Sequence, residues 1–303
     1  MRYSVSGKVV VITGPARGIG AETARMLAGR GARLSLVGLE PHRLAALASE
    51  LGDCHVWFEC DVTDQAALDR AVNGTAEALG GIDVVVANAG IASNCTVAIG
   101  PVDALVRTIE VNLIGVVRTV SATLPHVTAA GGYYLLVSSA AALAPLPGIS
   151  TYAAAKSGVE QFGNVLRLEV AHKGVGVGVA HPSWIDTDMV RDARHDVESF
   201  NEMLATLPWP FSSVTPVKTC AAAFVKAIER RKRKVYVPGA LAPLAALRYL
   251  FASPLSEYLI GRNARRLVPQ AEREVIGINR SFGLNSVETT GKAKVEDSTT
   301  LKR

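Results

Sequence analysis

Hydrophobic residues first gather at Val9–Thr13, where consecutive positions are apolar or small, and the spacing then changes to that of a helix. The alternation repeats. Arg33–Val37, His55–Cys60 and Val84–Ala87 read as strands, and Ala21–Gly29, Pro41–Leu51 and Gln65–Leu79 read as the helices between them. Strands apolar at every position, rather than at every second one, belong in a sheet covered on both faces. The rhythm continues through a long helix around Asp103–Leu124, a strand at Tyr134–Ser138 and a second long helix around Tyr152–His172. Strands at Gly176–Ala180 and Lys234–Val237 complete it.

The fold class that follows is α/β, a Rossmann-like doubly wound parallel sheet with helices on both faces. With 303 residues, 49% of them hydrophobic and 19% charged, the chain fits one large domain better than two small ones. That domain is expected over 1–239. A C-terminal extension follows at 240–284, rich in Leu, Ala and aromatic residues over Ala240–Leu267 and broken by Pro243 and Pro254. The polar stretch 285–303 reads as a disordered tail. Two readings of the extension stand side by side: helices packed on the domain, or an amphipathic segment on an anionic membrane surface or a partner subunit. Prolines and Arg248 break it too often for a membrane span.

The net charge of +5 is unevenly placed, in Arg230–Lys234 and at Arg262, Arg265 and Arg266. No helix-turn-helix, zinc-finger or RNA-binding signature accompanies it, so nucleic acid is not the expected partner. Cys54, Cys60, Cys95 and Cys220 show neither CxxC pairing nor histidines at ligand spacing. No metal site and no disulfide framework is expected, and a cytoplasmic setting fits. The opening residues MRYSVSGK carry no apolar run of signal-peptide length.

Candidate chemistry begins directly after the first strand, at Thr13-Gly14-Pro15-Ala16-Arg17-Gly18-Ile19-Gly20. Glycines there let the backbone turn tightly and approach a pyrophosphate, which the N–H groups of the following helix stabilise. The spacing is G-x-x-x-G-x-G rather than G-x-G-x-x-G. Further along, Tyr152 and Lys156 stand four apart on a predicted helix, so phenol and ammonium share one face. A cation beside a phenol lowers its pKa toward the range of an acid/base catalyst. Ser139, thirteen residues before the tyrosine, ends a strand where open α/β sheets bind ligands and is placed to hold a substrate oxygen.

These motifs, in this order from Ser6 to Gly239, resemble the short-chain dehydrogenase/reductase family. The resemblance implies a catalytic set of Asn112, Ser139, Tyr152 and Lys156, with Asn112 supporting a water chain to Lys156. It implies cofactor contacts at Gly14, Arg17, Gly18, Ile19 and Gly20, at Asp61-Val62 near the adenine and at Asn88-Ala89-Gly90. Tyr152 and Lys156 would meet the nicotinamide ribose, and Pro182, Ile185 and Thr187 the carboxamide. Ser183 stands where the family pattern has glycine. Read without the family, Asp61 equally serves as a cap for the helix beginning near Asp64.

The expected activity is transfer of a hydride between NAD(H) or NADP(H) and an alcohol or carbonyl of a small, apolar, lipid- or steroid-like substrate. Leu39 and Glu40, after the second strand, bear on cofactor choice. Glu40 repels a 2′-phosphate while Arg17 attracts one, and the balance favours NAD. Ser139, Ala140, Leu146, Tyr152 and Trp184 are the expected substrate contacts. The segment 188–215, with Phe200, Met203, Leu204, Leu207, Trp209 and Phe211, is either a lid or a core helix. The two long helices imply a homodimer or homotetramer. Competing readings are a dinucleotide-binding regulator without turnover, and an epimerase or dehydratase on the same scaffold.

Overall fold

The computed structural model describes residues 3–248 and 253–284. Among these, seven strands form one sheet in the order β3-β2-β1-β4-β5-β6-β7. They are β1 Val9–Thr13, β2 Arg33–Gly38, β3 Val56–Glu59, β4 Val84–Ala87, β5 Tyr133–Val137, β6 Gly176–Pro182 and β7 Lys234–Val237. Every pairing is parallel. The helices are α1 Gly18–Ala28, α2 Pro41–Leu51, α3 Gln65–Leu79, α4 Val102–Ile109, α5 Gly115–Ala129, α6 Ser150–Glu169, α7 Asp188–Asp196, α8 Glu198–Thr206, α9 Val217–Glu229, α10 Leu241–Ala246 and α11 Pro254–Ile278.

Strands apolar throughout are explained by the two cores they feed. Val10, Ile12, Val84 and Val86 pack with Leu27, Leu44 and Phe224 of α1, α2 and α9. Val11, Val85 and Tyr134 point the opposite way, onto Leu68, Val120 and Val159 of α3, α5 and α6. Successive side chains on a strand alternate faces, so two buried faces require hydrophobic residues at every position. Strand order reverses between β1 and β4, and a crevice opens there at the carboxyl ends of the strands, where such sheets take ligands.

The long helix expected around Asp103–Leu124 is α4, one π-helical turn at Glu110–Ile114, and α5. Hydrophobic spacing does not reveal a π turn, because one inserted residue barely disturbs the apolar stripe. In the extension, Pro254 starts α11 after α10 has ended at Ala246, as suits a residue whose missing N–H is unused in a first turn. Pro269 lies within the same helix. Within the extension, Val275 of α11 is buried against Cys95 and Val197. No described helix is long and apolar enough to cross a membrane. The stretch 285–303 lies outside the described residues.

Candidate functional site

Three glycines shape the turn after β1, each for its own reason. Gly14 (φ +63°) and Gly18 (φ +57°) adopt the left-handed backbone that other residues avoid. A Cβ on Gly14 would stand 2.8 Å from Ala89 Cα, so strand and loop approach through it. Gly20 differs: its backbone is ordinary, but a Cβ there would lie 2.5 Å from the Gly14 carbonyl and 2.7 Å from Asn88 Nδ2. It closes the turn from behind and, unlike Gly14 and Gly18, does not line the cavity. Arg17 precedes α1 without a side-chain cap, so the first N–H groups of the helix are left for an anion.

Thr13, which no sequence pattern singles out, organises this corner. Its hydroxyl accepts from the N–H groups of Asn88 (3.0 Å) and Ala89 (3.1 Å). Asn88 Nδ2 donates in return to the carbonyls of Thr13 and Gly14, both at 3.1 Å. Its mark in the sequence is a hydroxyl at the last residue of β1, beside the glycine loop.

A cavity of about 600 Å³ runs along the carboxyl ends of the strands. At one end it is lined by Gly14, Arg17, Gly18, Ile19, Leu39, Glu40, Asp61, Val62, Asn88, Ala89 and Gly90, all expected from the sequence. Arg17 and Glu40 form an ion pair across it at 3.2 Å, and Arg43 reaches the same carboxylate at 3.4 Å. Asp61 accepts from the Thr63 N–H (2.9 Å) and hydroxyl (2.8 Å) and pairs with Arg107 of α4. Burial alone would raise its carboxyl, but these donors outweigh that and hold it below the usual range. Asp61 is therefore not the cap of α3. Asp64 caps it, accepting from Ala67 N at 3.1 Å.

In the middle of the cavity α6 presents Tyr152 and Lys156, the end of β5 presents Ser139, and the π turn presents Asn112. The four come from three elements separated by up to 44 positions, and the fold brings them together as expected. Ser139 accepts from Ala141 N at 3.1 Å, caps a short 3-10 turn and hydrogen-bonds Tyr152. Lys156 Nζ donates to the Val137 carbonyl at 3.0 Å and stands 5.5 Å from the Tyr152 ring centroid. Ser138 fixes this part of α6 by donating to the Lys156 carbonyl at 2.7 Å.

The electrostatics depart from the expectation that Lys156 sets the phenol. Burial pushes the Tyr152 phenol up, and the opposing influence is the Ser139 hydrogen bond. Burial likewise brings Lys156 down to about 8. Asn112 is wholly buried, and its Nδ2 donates to the carbonyls of Ile91 (2.7 Å) and Thr108 (2.8 Å). Among the described residues its Oδ1 has no partner. A Cβ on Gly90 would be 2.7 Å from that oxygen and 3.4 Å from Lys156 Nζ, so both converge beside Gly90.

Beyond Tyr152 the walls are mainly apolar, with Ser199, Thr206 and Asn263 as polar positions. Ala140, Leu146 and Trp184 line this end, with Pro182, Ile185 and Thr187 between it and the glycine loop. Trp184 meets Phe200 of α8 edge to face, with centroids 5.1 Å apart. Ser183, in place of the glycine, donates its N–H to Val237 at 2.8 Å and keeps the segment in register with β7. Phe200, Met203, Leu207 and Phe211 of the 188–215 segment face the cavity, whereas Leu204 is buried and Trp209 exposed.

The chain matches the short chain dehydrogenase family model over residues 8–198. It is 31% identical over 264 residues to an uncharacterized oxidoreductase of Mycobacterium tuberculosis, covering 84% of this chain and 98% of that protein. It is 32% identical over 274 residues to (-)-trans-carveol dehydrogenase of Rhodococcus erythropolis, covering 80% and 97%. A match of 34% over 194 residues to trans-4-hydroxycyclohexanecarboxylate dehydrogenase of Sinomonas cyclohexanicum covers 61% and 75%.

Proposed function

The chain belongs to the short chain dehydrogenase family and is an NAD(P)-dependent oxidoreductase acting on alcohol and carbonyl groups, and we propose the residue roles, cofactor preference and substrate class that follow. The observation that carries the roles is the meeting of Ser139, Tyr152, Lys156 and Asn112 at the midpoint of one cavity. Tyr152 moves the proton: its phenolate takes it from an alcohol, or its phenol gives it to a carbonyl oxygen. Ser139 hydrogen-bonds the same oxygen and orients it. Lys156 and the unpartnered Asn112 Oδ1 flank Gly90 and would pass the proton on through water.

The glycine cradle and the uncapped start of α1 fit a pyrophosphate. Asp61, Val62 and Ala89 would hold the adenine end, and Pro182, Ile185 and Thr187 the nicotinamide end. When bound, the nicotinamide nucleotide accepts or supplies the hydride. NAD is the preferred form, because Glu40 places a carboxylate where a 2′-phosphate would stand and also pairs with Arg17. Glu40→Gln removes that repulsion. The kcat/KM ratio of NADP to NAD is expected to rise about tenfold, about 1.4 kcal/mol, read by steady-state kinetics with both nucleotides. An unchanged ratio would place the selecting group elsewhere.

The substrate is a small apolar alcohol or ketone, in keeping with the apolar walls beyond Tyr152. Exposed Val102 and Val106 on α4 and Val165 and Leu168 on α6 support self-association through these helices. Four free cysteines, three of them buried, agree with a reducing, cytoplasmic setting. A screen of hydrophobic secondary alcohols with NAD and NADP tests the whole reading. Net nucleotide turnover supports it; tight nucleotide binding with no net turnover on any of them would favour a regulator or an epimerase.

A further inference from the structure

The substrate end of the cavity has a wall that the family match does not reach. Residues 8–198 end before α11, yet Ile260, Asn263, Ala264, Leu267, Val268 and Ala271 of α11 all line the cavity, Asn263 being the polar one. Their spacing of three and four puts them on one helical stripe. The rest of α11 is tied down by polar contacts. Arg266 pairs with Glu202 of α8 at 2.8 Å, and Gln270 donates to Glu202 (3.3 Å) and Glu274 (3.0 Å). Glu274 accepts from the N–H (3.1 Å) and hydroxyl (2.7 Å) of Ser199. Thr96 donates to Glu272 at 2.6 Å, so α11 is also fastened to the loop after β4.

Charge is distributed along the cavity in a way that bears on the ligand. Arg17, Glu40, Asp61 and Arg107 all stand at the glycine-loop end, and Lys156 at the middle. Asp188, the other charged residue among the described lining, follows Thr187, which stands beside Gly18 of the glycine loop. A carboxylate or phosphate on the far part of a substrate would meet no cation among the described lining residues, at a desolvation cost nothing repays. An uncharged alkyl or isoprenoid body would be accepted between the faces of α8 and α11.

Resting on the oxidoreductase reading above, we infer that α11 is the length gauge of the substrate site, that it admits neutral alcohols and ketones with an extended apolar body, and that Ala264 sets how far that body reaches. Ala264 is the small residue between Ile260 and Val268 on the stripe, so its size governs the free space at that level. Filling it shortens the accessible channel, and trimming Val268 lengthens it.

The test compares the parent with Ala264→Phe and Val268→Ala on a homologous series of 2-alkanols and the matching ω-carboxylates. In the parent, kcat/KM should climb about three- to fourfold per methylene until the channel is full. Ala264→Phe should end that climb earlier and lower the ratio of longest to shortest alcohol at least tenfold, while Val268→Ala should move the plateau to longer chains. Nucleotide binding by calorimetry reports whether each variant is folded. Calorimetric titration of the longest 2-alkanone into parent and Ala264→Phe reads the same wall without turnover. If the parent turns over none of the alcohols, the activity reading fails, and the ketone titration still decides the inference. Equal ketone affinity in the two proteins, a parallel loss on short and long alcohols, or carboxylates used as well as the neutral compounds would each overturn it.

Discussion

Tyr152→Phe is expected to lower kcat by roughly 10²- to 10⁴-fold while nucleotide affinity stays within a few-fold of the parent, because general acid–base catalysis contributes on that scale. The substitution removes one hydroxyl and keeps the ring. Ser139 then loses its phenol partner but still accepts from Ala141 N and donates toward the Pro182 carbonyl, so no buried group is left wholly unpaired. Loss of turnover with nucleotide binding retained therefore reports chemistry rather than unfolding. The pH profile supplies a second readout. Alcohol oxidation needs the phenolate, so parent kcat should rise with pH, and burial of the phenol moves that limb upward. In the variant the limb should vanish. A variant that keeps turnover within tenfold of the parent, with the same pH limb, would remove Tyr152 from the proton transfer.

The sites of this chemistry were legible in the sequence for a physical reason. A glycine loop between strand and helix, and a tyrosine and lysine one turn apart, are local patterns that secondary structure converts directly into geometry. What depends on contacts distant in sequence was not legible. Arg107 meets Asp61 from across the crevice, and Thr13 holds the Asn88-Ala89 turn, yet neither stands out in its own neighbourhood. The π turn at Glu110–Ile114, which carries Asn112, hides inside a helical stripe that looks continuous. In the extension Pro254 does mark a boundary, opening α11 after α10 ends at Ala246, whereas Pro243 and Pro269 are accommodated within helices. Gly20 was read as a contact with the ligand, because a pattern of glycines does not say which ones face inward and which only permit close packing.

Glu160→Gln should cost about 2 kcal/mol of stability at neutral pH, and the cost should fade in acid. Glu160 lies one turn beyond Lys156 on α6 and is nearly inaccessible, with 4% of its surface exposed. Its carboxylate accepts from Lys234 Nζ of β7 and from the guanidinium of Arg248 after α10, both at 3.1 Å. It thereby joins α6 to the sheet edge and the extension. His181 Nε2 stands 3.6 Å away. Burial by itself would raise the carboxyl, but His181 and Lys234 outweigh burial and bring it from 4.5 to about 2. A folded-state pKa depressed in this way contributes stability that is present above about 4.5 and is lost as pH falls toward 2. The full shift would correspond to about 3 kcal/mol. Lys234 and Arg248 are each about two-fifths exposed, so solvent screening reduces it to about 2. Denaturant unfolding of parent and Glu160→Gln at pH 7 and again near pH 3 would show a gap that closes with acidification. A gap of the same size at both values would mean that the amide disturbs packing and that the charge contributes nothing.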